Sequence, residues 1–128
     1  MSYINFNDKY NSNSILFSLP VHEKQNIINN QIENILNNNP GSKIILHINK
    51  TFKNFNYDYT KYQNVYFNSN KIKYIHPTGL LNIHCNNFLE SIKLNIDFDY
   101  FVLLSSNEMF IKKNSIDYIS KEKNGLQI

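Results

Sequence analysis

Residues 98–114 read FDYFVLLSSNEMFIKKN, an apolar run that stops at two serines, an amide and a carboxylate. An unbroken apolar stretch of about five residues, 100–104, fits a strand buried on both faces, the kind found in parallel sheets. Two more such runs precede it: SILFSL at 14–19, with Pro20 as its expected stop, and KIILHI at 43–48. Shorter strands are expected at NVYFN, 64–68, and KIKYI, 71–75.

Helical patterns alternate with these strands. Ile28, Ile32, Ile35 and Leu36 fall at i, i+4, i+7 and i+8, one stripe of a helix opening near Lys24. NNNPG at 37–41 supplies the breakers that end it. After a turn at HPTG, 76–79, a second helix is expected to bury Leu81, His84, Cys85, Phe88, Leu89 and Ile92 on one face. Asn114 with Asp117 three residues on predicts the start of a last short helix. Residues 1–13 are polar and Asn-rich and read as a flexible lead-in, and 49–63 as a loop. Strands alternating with helices predict an α/β fold: a mostly parallel sheet with helices on both faces.

The chain of 128 residues is one domain in size, with roughly two thirds of its surface available for burial. Asn and Ile dominate, Ala, Arg and Trp are absent, and every cationic side chain is lysine, a bias of the kind that AT-rich coding produces. The net charge of +3 is small and the lysines are scattered, so no basic stripe supports nucleic-acid binding. A single cysteine forms no internal disulfide, and the first residues contain no apolar signal core. No run reaches transmembrane length. These features predict a cytoplasmic protein without a membrane span.

Ligands of open parallel sheets bind outside the carboxyl ends of the strands. That rule selects three stretches: Pro20, Val21, His22 and Glu23; Asn49 and Lys50; and Ser105, Ser106, Asn107 and Glu108. An amide and an ammonium at 49–50 suit a base, ribose or phosphate, and equally suit the start of a loop. Hydroxyls, amide and carboxylate at 105–108 suit sugar hydroxyls, and equally suit turn chemistry. His22, His47, His76 and His84 lack the close pairing of zinc motifs, and Cys85 has no second cysteine nearby. No glycine-rich phosphate loop follows the first long strand, where the sequence reads PVHEKQN.

Taken together, the segments resemble the core-2/I-branching type of glycosyltransferase, which includes the peptide xylosyltransferases. ILFSLPVHEKQNIINNQIENIL looks like that family's opening strand and helix, and HINK at 47–50 resembles its His-Val-Asp-Lys strand end. NVYFNSNKIKYIHPTGLLNIHCNNFLESI has the layout of its strand pair, turn and Leu-rich helix. FDYFVLLSSNEMFIKKN is similar to its strand ending in Leu-Leu-Ser-Gly-x-Asp-Phe-Pro.

The resemblance implies a GT-A-like (Rossmann-like), nucleotide-sugar-binding unit over 14–128, without a metal cofactor, that binds a UDP-sugar for transfer to a glycan or protein acceptor. It implies that Asn49 stands where the family has the carboxylate that meets the nucleoside. Glu108 stands where it has the Asp of the sugar-side motif, Ser106 its Gly, and Met109–Phe110 its Phe-Pro. The family's catalytic base and its diphosphate-binding basic residues lie beyond that motif. The expectation is therefore an incomplete GT-A unit, either a hexosyl- or pentosyltransferase whose missing elements come from a second chain or self-association, or a non-catalytic remnant acting as a binding or interaction domain.

Overall fold

The computed structural model describes residues 2–5, 14–52, 54–56, 58, 62–72 and 79–119. A five-stranded sheet runs in the order β1-β5-β2-β3-β4, with β1 at Ser2–Asn5, β2 at Ile15–Val21, β3 at Lys43–Ile48, β4 at Val65–Phe67 and β5 at Tyr100–Leu103. Four strands, β5-β2-β3-β4, are mutually parallel, and β1 pairs antiparallel with β5. The helices are α1 at Gln25–Asn38, α2 at Gly79–Lys93 and α3 at Ser115–Ile119. None of the described helices is long and apolar enough to cross a membrane.

The pleat sorts the core into two layers. Ile15, Phe17, Leu19 and Val21 of β2, with Ile44, Leu46 and Ile48 of β3, face α1 and α3, where Ile28, Ile32, Ile35 and Ile119 meet them. Leu16 and Ile45 point to the other face, toward Phe88 of α2 and the Phe98–Phe101 pair. Each central strand is thus buried on both sides, and apolar there but for Ser18 and His47, which is why it reads as a nearly continuous run in the sequence. The α/β class and the helices on both faces are as expected.

Several local expectations are corrected. Ser2–Asn5, expected within a flexible lead-in, add an edge strand to β5. Pro20 does not stop β2, which continues to Val21 in register with Ile48. Backbone groups of successive strand residues alternate sides: Ser18 O accepts from Leu104 N of the β5 segment, and Val21 O accepts from Asn49 N beyond β3. Pro20 shares the side of Ser18, where β5 pairing has already ended at Leu103, so its missing N–H forfeits no ladder bond. Lys71 and Ile72 lie in no strand, and the rest of the expected 71–75 strand, like His76, falls outside the described residues.

The start of α3 differs too. Asn114 has a left-handed backbone, φ 60°, not the extended one of a capping residue. The amide of Ser115 is taken instead by Oδ1 of Asn39, at 3.1 Å, so the end of α1 caps the start of α3.

The largest correction is the rotation of α2. His84 is buried as expected and Phe88 half-buried, but Leu81, Cys85, Leu89 and Ile92 are exposed. The sheet-facing side carries Ile83, His84, Asn87, Glu90 and Ser91. Beneath it, β2 presents the fully buried Ser18, and the end of β4 presents the buried Asn68. Ser18 Oγ lies 2.7 Å from Nδ1 of His84 and accepts from Nδ2 of Asn87 at 2.9 Å, and Asn68 donates to Oδ1 of Asn87 at 2.9 Å. An apolar stripe over those groups would leave them desolvated without partners, at a cost of about 1–3 kcal/mol each. Satisfying them outweighs burying leucine, and the helix turns its polar side inward.

Candidate functional site at the carboxyl edge of the sheet

From β2 the chain moves outward through β3 to β4, then returns across the sheet to place β5 on the other side of β2. The carboxyl ends of β2 and β5 are therefore the point where the direction of winding reverses, the usual ligand crevice of open α/β sheets. His22 and Glu23 leave β2 there, and Ser105, Ser106, Asn107 and Glu108 leave β5 there.

The two loops touch. Ser106 is buried, at 1% exposure, and its Oγ lies 3.0 Å from Nε2 of the part-exposed His22. Oε1 of Glu23 approaches the same imidazole nitrogen at 4.0 Å. This trio could orient a polar ligand, with His22 and Glu23 offering both signs of hydrogen-bonding group at the surface. Ser106 Oγ also lies 3.5 Å from Nδ1, and at 4.0 Å the Glu23 carboxylate makes no hydrogen bond to the ring, so Glu23 does not hold His22 as the carboxylate of a nucleophilic triad does.

Helix α1 fixes the β5 loop from behind. Gln31, one of its buried residues, donates from Nε2 to Ser105 O at 2.7 Å and to Glu108 O at 3.0 Å. One turn on, Asn34 donates from Nδ2 to Phe110 O at 3.0 Å and accepts from Phe110 N at 2.7 Å. Phe110 then packs edge-on against Phe17, centroids 5.4 Å apart. These contacts hold the backbone of 105–110 to the scaffold and leave the side chains of Asn107 and Glu108 exposed. Ser105 Oγ donates to Asn107 Oδ1 at 2.7 Å, so that pair serves the turn itself.

At the end of β3, Asn49 is half-buried and Lys50 exposed. Oδ1 of Asn49 accepts from the amide and hydroxyl of Thr51, both at 3.1 Å, which shapes the loop. Its Nδ2 has no partner among the described residues. The amide of Asn49 binds Val21 O, so this loop stands directly beside the end of β2. His47 is fully buried behind it, with Nε2 accepting from Ile72 N at 3.0 Å. Burial lowers its pKa, outweighing the opposing hydrogen bonds with the backbone of His47 and Asn70.

The three predicted stretches thus converge on one edge, with unequal roles. His22, Glu23, Lys50, Asn107 and Glu108 are accessible, Asn49 is half-accessible, and Ser106 lies beneath His22. Pro20 and Val21 are buried within β2 and carry the loop that follows. The sequence reading missed Gln31 and Asn34. Their signal was present as two amides three residues apart, interleaved with the isoleucines of the α1 stripe.

Histidines 22, 47 and 84 do not gather, and among the described residues no three His, Cys, Asp or Glu side chains form a metal-binding group. The fold and this edge define the chain as an open α/β-sheet protein with polar side chains gathered at its switch point. Compared with protein-family models, curated proteins and solved structures, the chain matches none.

Proposed function

We propose that the chain binds a nucleotide sugar, most simply a UDP-sugar, at the carboxyl edge of its sheet, as a GT-A-like domain of core-2/I-branching type. The observation that carries this reading is the meeting of the β2 and β5 loops through His22 and Ser106 at the switch point, beside Asn49 and Lys50 of β3. In the proposal Nδ2 of Asn49 meets the nucleoside and Lys50 the diphosphate. Glu108 and Asn107 meet sugar hydroxyls, with His22 between them. Binding needs no metal, since a lysine offsets the phosphate charge.

Sugar transfer would require a base to deprotonate the acceptor hydroxyl as the nucleoside diphosphate leaves. No residue of this chain is assigned that role. The outward apolar side of α2 favours a second reading, a non-catalytic interaction domain that retains the crevice.

Calorimetry with UDP, UDP-glucose, UDP-N-acetylglucosamine and UDP-xylose tests the first reading. Saturable binding at or below millimolar ligand is expected, and the absence of heat at that concentration overturns it. Binding without transfer or donor hydrolysis assigns the chain to the second reading.

A further inference from the structure

Helix α2 lies over β2 and β3 and reaches β5 through Phe88, whose ring packs edge-on against Phe101 at 5.4 Å. Between α2 and β5 runs a groove of about 400 Å³, lined by His84 and otherwise by Leu81, Cys85, Phe88, Leu89, Phe101 and Leu103. Beside it stands a ridge. Leu81, Cys85 and Leu89 follow one another at i+4 and Ile92 continues the same side, with exposures of 62% at Leu81, 65% at Leu89 and 56% at Ile92. Leucines this exposed in a row are unlike the scattered apolar residues of an ordinary surface.

We propose that this face pairs with the same face of a second copy of the chain, each α2 ridge seated in the groove of the other about a twofold axis. Three observations select a second copy as the occupant. The groove calls for a helix with an apolar i, i+4 row, and among the described helices α2 alone turns such a row outward. Groove and ridge lie side by side on one surface, which is what a self-complementary twofold contact requires. Identical i+4 ridges also interdigitate in the commonest class of helix packing, crossing at about −50°.

Charge is the third. The one carboxylate of α2, Glu90, is turned inward to Ser69 and Asn70, and the one ammonium, Lys93, sits at the last residue. From Leu81 to Ile92 the outer side carries no charge, so two copies meet without like-charge repulsion despite a net charge of +3. A single helix face is smaller than the ~800 Å² per partner of a standard interface. The dimer is accordingly weak, dissociating in the range of about 1–100 μM. This pairing is independent of the crevice at the strand ends.

Sedimentation velocity on the full chain across that range tests the pairing, with Leu89→Lys and Leu81→Lys alongside and circular dichroism as the check on folding. Both positions are solvent-exposed, so both variants should fold. The wild type should shift from monomer to dimer, and each lysine should weaken the dimer by at least about tenfold. Cys85 sits mid-ridge, so a short bismaleimide should link two wild-type chains and fail to link the Leu89→Lys chain. A wild type that stays monomeric at every concentration overturns the proposal. So does a dimer that both lysine variants leave intact.

Discussion

His84 should make the fold sensitive to mild acid, and the size of the effect follows from its surroundings. His84 is 5% exposed on the sheet-facing side of α2, and burial pushes its pKa down from 6.5 to about 4. Asn87 donates to Ser18, whose hydroxyl lies 2.7 Å from Nδ1 of His84, so the neutral ring is hydrogen-bonded inside the core. The folded pKa lies below the unfolded one, so the unfolded chain holds more protons between these two values. Stability is therefore complete above about pH 6.5 and is lost as pH falls toward 4. The whole shift corresponds to about 3 kcal/mol, of which roughly 2 kcal/mol should vanish between pH 7 and pH 5. His47, also held low by burial, adds in the same direction.

Urea unfolding at a series of pH values and one protein concentration measures the total. The difference between wild type and His84→Asn isolates the share of His84. Asparagine can place a non-titrating amide atom near the position of Nδ1, within reach of Ser18, so the variant should be less stable at pH 7 yet lose less on acidification. The same slope from pH 7 to pH 5 in both proteins would refute the assignment of a buried, neutral His84.

Other substitutions probe the scaffold and the crevice separately. Gln31→Leu removes the donor to Ser105 O and Glu108 O and should cost about 1–3 kcal/mol in urea unfolding, with faster amide exchange across 105–110; unchanged exchange would show that α1 does not hold that loop. Lys24 is the N-cap of α1 and contributes no side-chain cap, so Lys24→Asp should stabilise by about 1 kcal/mol and raise the melting temperature by a few degrees. Asn49→Asp keeps the oxygen that accepts from Thr51, and if the aspartate of the resembling family meets the nucleoside, calorimetry should show UDP binding tightened several-fold.

What could be read from the sequence was what periodicity encodes. The β2, β3 and β5 segments are buried on both faces, so their apolar runs stand out without context, and the order of strands and helices was enough to put their carboxyl ends along one sheet edge. The facing of α2 could not be read that way. Its apolar row is a genuine helical stripe, and only the sheet reveals that Ser18 and Asn68 wait beneath the helix for His84, Asn87 and their neighbours. The cap of α3 failed for a similar reason, since Asn39 reaches it from 76 residues away and no local pattern records that. Pro20 misled because its cost depends on whether a neighbouring strand still runs beside it.

The proposed nucleotide-sugar site joins the ends of β2, β3 and β5. Amide chemical-shift mapping during a UDP-sugar titration tests it most directly. Concerted shifts are expected at His22, Glu23, Asn49, Lys50 and Ser105 through Glu108, fitting one dissociation constant, with the amides of α2 little changed. Shifts confined to α2, or none at millimolar ligand, would contradict it.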